Sequence, residues 1–542
     1  MTSPAKPAKT AAKAGSTPAP AGESRGYSNY VLFVLLLVYV FNFIDRQILS
    51  ILAEDIKRDL GLTDASIGFL YGTAFAVFYA IFGIPLGRLA DIWVRKNLIS
   101  VGLFFWSLMT ALSGTARGFG TLAGYRIGVG VGESSASPAA FSMLGDYFPP
   151  RLRATAVAIY SSGVYIGAGI GIFIGGLIVD NWNRAFADGG APFGLVGWQA
   201  AFFAVGIPGL LMSLWVWSLR EPVRGSSEGL AETPAHPHPF RLLGHELAAV
   251  LPPLTFWTLA KAGAGARGIL LNLAIAAGCA LAAFGLITAL GSAPQWIALA
   301  IGLYCFFTWL QGLALRDPAT FGMIYRSKTV VFGMIGFAWV AFVGYGLGFW
   351  APPFFQRVHG VSASEAGTVL GLTAAIAGWF GVSAGGVLSD RFRATHPKAR
   401  LYMGLLCVSL SAPAAIYLVW TSSLIGAYVA NFFFTLFSTL WIGSAIALVT
   451  ELVLPRMRAT ASAFYILSVT FVGLALGPYT MGHISDRLVA AGRTSGEALR
   501  SGMLWGLTTY AIAFFFLWLS SRYVVAEEES RLDRARALGE PV

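Results

Sequence analysis

The stretch Pro150-Arg151-Leu152-Arg153-Ala154-Thr155-Ala156-Val157-Ala158-Ile159-Tyr160 returns as Pro455-Arg456-Met457-Arg458-Ala459-Thr460-Ala461-Ser462-Ala463-Phe464-Tyr465, with 8 of 11 positions identical. The offset is 305 residues. Two further pairs keep nearly the same offset: Gly87-x-x-x-Asp91 with Gly386-x-x-x-Asp390, and Gly176-x-x-x-Asp180 with Gly482-x-x-x-Asp486. A period this long means that one half of the chain duplicates the other. Each copy of the quoted stretch runs straight into an apolar segment of spanning length, so the duplicated unit is a membrane-embedded bundle.

The composition around these repeats agrees. Apolar residues make up 56% of the 542 and charged residues only 12%, which excludes an ordinary soluble enzyme. A spanning helix takes roughly 20 mostly apolar residues. Such runs occur at about 28–52, 65–88, 97–116, 120–143, 154–179 and 198–219, and again at 329–351, 365–389, 401–420, 424–450, 459–483 and 499–520. Two extra runs lie between, at 267–290 and 294–315. The expectation is an all-α polytopic membrane protein of fourteen spans: six-helix bundles at 27–220 and 329–521, with an insert at 221–328. A half of 194 residues and an offset of 305 leave about 111 residues between the halves, and the insert supplies 108. Its linker carries Leu242, Leu243, Leu247, Val250 and Leu254, an amphipathic pattern suited to the membrane surface. Its hairpin is uncharged between Arg267 and Arg316 and is expected to be peripheral and lipid-facing. Residues 1–26 read as a disordered basic tail, and 522–542 as a second tail.

A net charge of +11 raises the question of a nucleic-acid partner. Counted by loop with the N-terminus inside, inner segments hold 27 cations, outer ones 8, and Arg46 and Arg126 sit within spans. That excess places both termini in the cytoplasm and accounts for the charge without nucleic acid. Cys279, Cys305 and Cys407 lie in apolar runs and the six histidines lack ligand spacing, so neither disulfide, metal nor cofactor is expected. Gly128-x-Gly130-x-Gly132 and Gly263-x-Gly265 follow no strand and are not nucleotide loops. A membrane-embedded enzyme would need a buried nucleophile and base, and none is visible.

Gly87-Arg88-Leu89-Ala90-Asp91-Ile92-Trp93-Val94-Arg95-Lys96, between spans two and three, resembles the signature loop of the major facilitator superfamily. Ile92 replaces a basic residue and Val94 a glycine, while Gly87, Asp91, Arg95 and Lys96 keep their spacing. The loop is echoed by Gly386 to Arg393, which includes Asp390 and Arg391. The resemblance implies the major facilitator fold. It also implies that the loop's carboxylate caps a neighbouring helix and pairs with basic residues, gating the cytoplasmic side. Asn42-Phe43-Ile44-Asp45-Arg46 in span one and Arg126 to Pro138 in span four, with Gly197-Trp198-Gln199-Ala200-Ala201-Phe202-Phe203 in span six, resemble the spinster-type transporters. Gln199 stands where that group usually has Arg. Symporters of sugar acids share the Asn-aromatic-x-Asp-Arg pattern.

Charged side chains at membrane depth mark ion or substrate paths, and the first half concentrates them in Asp45, Arg46, Arg126 and Glu133. Arg126, Gly130, Glu133 and Ser137 share one helical stripe. Counting from the outer ends of spans one and four puts Asp45 level with Arg126, predicting an ion pair. Glu133 falls level with Tyr39 and near Asn42, neutral partners, which makes it a protonatable site. The second half offers Thr373, Asn431, Thr435 and Ser438. Gly163, Gly167, Gly171 and Gly175 recur every four residues and read as close helix packing.

These observations predict a monomeric secondary transporter of the bacterial inner membrane, working by alternating access without any cofactor. Asp45 and Glu133 are its expected proton-coupling groups. Arg46, Arg126, Asn42, Tyr39, Asn431 and Thr435 are its expected substrate contacts, with membrane lipids around it. The spinster resemblance implies an anionic amphiphile such as a lysophospholipid or a sphingoid phosphate. An organic or sugar acid is the alternative.

Overall fold

The computed structural model describes residues 24–225 and 237–541, and among them every regular element is a helix. The first bundle holds α1 (Arg25–Leu60), α2 (Asp64–Tyr71), α3 (Thr73–Ile92), α4 (Arg95–Ser113), α5 (Phe119–Glu133), α6 (Ala136–Tyr147), α7 (Pro150–Ala185) and α8 (Gly197–Trp217). The insert holds α9 (Pro239–Val250), α10 (Thr255–Lys261), α11 (Gly265–Leu290), α12 (Ala293–Arg316) and α13 (Pro318–Tyr325). The second bundle holds α14 (Lys328–His359), α15 (Ala363–Arg393), α16 (Ala399–Trp420), α17 (Leu424–Ser438), α18 (Ile442–Glu451), α19 (Arg458–Ser468), α20 (Gly477–Ala490), α21 (Ser495–Thr508) and α22 (Tyr510–Ser520). The short α23 (Val524–Glu529) and α24 (Arg531–Ala537) follow. The end where α1 begins is called proximal below, and the end where it stops distal.

Several spans are broken in two. Span two breaks between α2 and α3, where Gly72 lies so close to span eleven that a Cβ would come within 2.5 Å of the Leu474 carbonyl. Span four breaks at Ser134-Ser135, just after Glu133. Span eleven widens to a π-helix at Val469–Leu474. Among the described residues, twelve helical stretches are long and apolar enough to cross a membrane. They match every expected span except the third, whose 19 residues open on Arg95 and Lys96, and the broken fourth, which carries Arg126 and Glu133.

Glycine spacing decides how the helices meet. Gly163, Gly167, Gly171 and Gly175 face Leu36, Val40, Ile44 and Ile48 on α1, the close packing their four-residue period predicted. On another face of α7, a Cβ at Gly169 would lie 2.4 Å from the Gly371 carbonyl and one at Gly176 2.2 Å from that of Ala363. The two bundles therefore touch backbone to backbone along α7 and α15.

The insert departs from expectation twice. The amphipathic segment does not lie flat. Phe240 packs on Trp93 near the proximal end of span two, and α9 then runs along α3 until Val250 lies among Ile81, Cys305 and Phe471, level with mid-helix. The chain turns at Pro252-Pro253 and returns as α10. The hairpin is not purely lipid-facing either, because α12 packs on α3 and on span eleven. The physical reason is a set of partners hidden by distance in sequence: Gly302 receives the Phe471 ring, and Phe306 stacks on Phe464 at 5.5 Å.

The ends also differ from the sequence reading. Helix α1 starts at Arg25, within the stretch assigned to the first tail, and the rest of that tail up to residue 23 lies outside the described residues. The second tail is folded: Glu527 accepts from the Ser327 hydroxyl and the Lys328 backbone N–H, capping α14, and Arg456 pairs with Asp317 and Glu540. The Arg456 guanidinium holds the Asp317 carboxyl down at about 2.

Candidate functional site

At mid-depth, α1, α3, α5 and α14 converge on a buried charged cluster. Arg46 Nη2 donates to Glu133 Oε2 at 2.6 Å and reaches Asn42 Oδ1 at 3.5 Å. Its guanidinium lies 4.3 Å from the centroid of the Phe75 ring, 4.7 Å from Phe43 and 5.3 Å from Tyr79, within cation–π range. Arg126 lies on the same Phe75 ring at 5.9 Å and donates to the Asp45 backbone carbonyl at 3.2 Å. Both Asp45 carboxylate oxygens are buried, with the Trp106 Nε1 and Thr110 Oγ1 donors beside them.

This pairing corrects the sequence reading in two places. Arg126 does not pair with the Asp45 carboxyl, and Glu133 has a cation. Side chains on a helix lean toward its N-terminus, and α1 and α5 run in opposite directions. Arg46 therefore leans proximally to Asn42 and meets Glu133, which leans distally. Asp45 and Arg126 start level and lean apart, so Arg126 reaches only the Asp45 carbonyl, which points distally. Counting Cα depth alone swaps the partners.

Tyr39 belongs to the site, stacked on Tyr160 at 4.4 Å with Ser137 beside both hydroxyls. Phe75, Tyr79 and Tyr345 were missed. Phe75 and Tyr79 stand four apart in span two and so share a face, a signal available in the sequence. Tyr345, within electrostatic range of Arg46 and Tyr79, comes from the second half and had none. Asn431 and Thr435 sit on α17, where no described hydrogen bond or ion pair joins them to the cluster. Next to them Phe434 is buried and Phe433 exposed.

The distal end is closed by charge. Arg357 from the second half pairs with Glu54 at 2.6 Å and with Asp64 at 2.7 Å. Asp64 also takes Lys57 Nζ at 2.6 Å and the Ser485 hydroxyl at 2.7 Å, and its side chain is fully buried. The repeated aspartates cap helices across the halves. Asp486 accepts the N–H groups of Asp64 and Ala65 at the start of α2, and Asp180 accepts that of Ser364 at the start of α15.

At the proximal end Arg456 of the second half reaches Asp317 of the insert, and the other charges stay close to their own half. Buried Arg95 meets Asp146 at 2.5 Å and Glu221 at 2.7 Å, and Lys96 Nζ donates to the Trp217 carbonyl. Asp91 is exposed, with Arg88 at 3.6 Å and the Arg224 guanidinium within electrostatic range, and Gly87 sits beside Pro138 of α6. Asp390 meets Arg400 at 2.6 Å, and Arg391 is exposed. Among the described residues no ion pair joins the two halves directly at this end.

A family model described as the Major Facilitator Superfamily matches residues 35–478. The chain belongs to that superfamily. It is an integral multi-pass membrane transporter, of a family whose members are not enzymes. Its similarity within the superfamily runs to spinster-type members. Mouse "Protein spinster homolog 1" is 25% identical over 489 residues, covering 86% of this chain and 75% of the relative. The crystal structure of a bacterial homologue of the human lysosomal transporter spinster, inward-facing and occupied, superposes with a TM-score of 0.67 at 28% identity, covering 93% of this chain and 99% of that one. The probable galactarate/D-glucarate transporter of Bacillus subtilis is 30% identical over 220 residues, 39% of this chain and 45% of its own.

Proposed function

We propose that this transporter moves an anionic single-chain amphiphile, of the lysophospholipid or sphingoid-phosphate kind, in exchange for or together with protons. One observation carries the reading: the Arg46–Glu133 pair, buried between aromatic rings at the point where both halves meet. A guanidinium held there is satisfied either by the Glu133 carboxylate or by a phosphate or carboxylate headgroup. Protonating Glu133 releases Arg46 to the headgroup, and losing the proton takes it back, so substrate and proton compete for one cation. Asp45 is the second proton carrier, a buried carboxyl near Arg126 with only the neutral donors Trp106 and Thr110 beside it. The aromatic lining, Phe43, Phe75 and Tyr79, suits the apolar part of the molecule. The chain works as a monomer by alternating access, with fourteen spans. Its proximal end faces the cytoplasm of a bacterial cell, as the Lys and Arg excess favours.

A second reading has its own support. Tyr39, Tyr79 and Tyr345 bring hydroxyl donors from both halves toward Arg46, which also suits a sugar acid. Titrating purified protein with single-chain lipid phosphates of increasing length separates the two. A lipid substrate gains up to about 0.8 kcal/mol per buried methylene. Chain-length independence together with competition by a short sugar acid reverses the assignment. In proteoliposomes Glu133→Gln is expected to abolish the pH dependence of transport. An unchanged pH profile assigns that carboxyl to packing.

A further inference from the structure

The insert encloses a small pocket of its own, apart from the Arg46 cluster. Its volume is about 100 Å³, and it lies between α9, α10 and α12 toward the proximal end. A carboxylate and a guanidinium stand in its wall: Glu246, half-buried on α9, and Arg316, exposed at the end of α12. Among the described residues neither takes part in an ion pair or a hydrogen bond, whether with each other or with a third group.

Depth places this pocket among lipid headgroups. Arg316 closes α12 at its proximal end, and Glu246 follows the Pro239 start of α9 by about 10 Å at 1.5 Å per residue. The start of α9 is itself fixed near the proximal end of span two by Phe240 on Trp93. Each headgroup layer of a bilayer is about 5–8 Å thick, so the pocket sits where that layer meets the hydrocarbon core. Helices α9 and α12 run in opposite directions, and side chains lean toward the start of their own helix. Glu246 therefore leans toward the proximal end and Arg316 away from it, and the two charges converge on the pocket from opposite ends.

The rest of the wall suits both signs of charge. The buried Thr308 hydroxyl accepts from Asn272 Nδ2 at 3.0 Å and keeps its own proton to give. The Thr258 hydroxyl donates to the Thr255 carbonyl at 2.9 Å and keeps a lone pair to accept with. Trp309 adds an indole ring, which attracts an ammonium. Gly312 is buried in the same wall, yet a Cβ there would meet nothing within 4 Å. An ion of one sign would meet one attraction and one repulsion in this pocket. A phosphate and an ammonium joined by a short link satisfy Arg316 and Glu246 together, each through charge-assisted hydrogen bonds.

We propose that this pocket holds the headgroup of a two-chain bilayer phospholipid that carries a primary ammonium, of the phosphoethanolamine kind. Arg316 takes the phosphate and Glu246 the ammonium, while the two threonine hydroxyls and the indole complete the lining. The lipid stays in the proximal leaflet and fastens α9, α10 and α12 to it. This does not depend on which substrate the Arg46 cluster carries.

Native mass spectrometry of the full-length chain tests it, with delipidated protein given dioleoyl phosphatidylethanolamine, phosphatidylcholine or phosphatidylglycerol. The unmodified chain is expected to bind one phosphatidylethanolamine about tenfold more tightly than either of the others, the worth of one charge-assisted bond. Glu246→Gln and Arg316→Gln should each abolish that preference. Both side chains reach solvent, so the fold should survive, and a melting curve checks it. Gly312→Leu keeps both charges and fills the open space beside them, and it should abolish the preference too. Equal affinity for the three lipids, or a preference that survives any of the three variants, overturns the proposal. So does competition by soluble glycerophosphoethanolamine as strong as by the lipid, because the ligand is then not drawn from the bilayer. In lipid-free detergent the melting shifts of the two charge variants should add. A non-additive double variant means that Glu246 and Arg316 bond to each other across a closed pocket, and the proposal fails.

Discussion

The two seams between the halves are related by the internal repeat, yet they are closed differently. Along α7 and α15 the closure is glycine on backbone: Gly169 on Gly371, Gly176 on Ala363, with Asp180 capping α15. Along spans two and eleven the distal part copies this, with Gly68 on Pro478, Gly72 on Leu474, Gly482 on Asp64 and Asp486 capping α2. Farther down, the second seam is filled by rings from the insert. Duplication thus supplied matching distal locks, and the insert made one seam thicker without changing its lock. The glycine seam is thus held by backbone contacts, and the other by side chains of the insert, with Arg456 on Asp317 and Arg487 on the Ala289 carbonyl at its two ends.

Arg357→Ala is the largest perturbation of both seams at once. It strips a buried carboxylate of its main partner, and breaking such a pair costs about 3–5 kcal/mol. The closed-to-open ratio at the distal end should therefore fall by a factor of about 100 or more, read as the distance distribution between spin labels at Asp188 and Ser495. Opening of one seam without the other would break the comparison.

Next comes the glycine test. Gly176→Val forces a side chain into backbone and should lower stability of the closed form by about 2–3 kcal/mol, the upper range for overpacking. Gly302→Ala meets only the Phe471 ring edge and a Val77 methyl, which can move, and should cost about 1 kcal/mol. Thermal unfolding of detergent-purified protein measures both, and equal losses would remove the distinction between the backbone-packed and the ring-filled seam.

The caps should follow. Asp486→Ala loses two backbone acceptor contacts and Asp180→Ala one, so losses of about 1–2 and about 1 kcal/mol respectively are expected in the same melts.

The smallest effect lies at the proximal end of span eleven, where Arg456 holds Asp317 and Glu540 while its repeat counterpart Arg151 is exposed. Asp317 has a folded value of about 2 against an unfolded value near 3.9. A depressed carboxyl contributes stability above its unfolded value and loses it as pH falls through the folded one. The clasp should thus hold unchanged between about pH 5 and pH 8 and weaken only below about pH 4. Because Arg456 is half exposed, Arg456→Gln should cost at most about 1 kcal/mol, seen as faster proteolysis of the last helix.

Much of the molecule was legible in the chain. The repeat, the apolar runs and the four-residue glycine period depend only on which residues stand where, and helix geometry converts them directly into spans and packing faces. The same holds for the choice of Asp45, Arg46, Arg126 and Glu133, since buried charge is costly wherever it falls. Pairing among them was not legible, because it depends on which way antiparallel helices lean their side chains as well as on depth. Asn431, read from its polarity, is buried on α17, and its distance from the Arg46 cluster depends on how the second half packs, which polarity does not record.

By itself the sequence determined a duplicated, membrane-spanning, charge-bearing transporter, because apolar length, repeat offset and superfamily motifs are properties of the order of residues. Only the tertiary structure decided that Arg46 takes Glu133, that α9 dips alongside span two, and that α12 fills one seam of two. Those outcomes rest on contacts between residues far apart in the chain, such as Arg46 with Glu133, Thr73 with Ala475 and Gly302 with Phe471, and no local pattern records which distant surface a helix will meet.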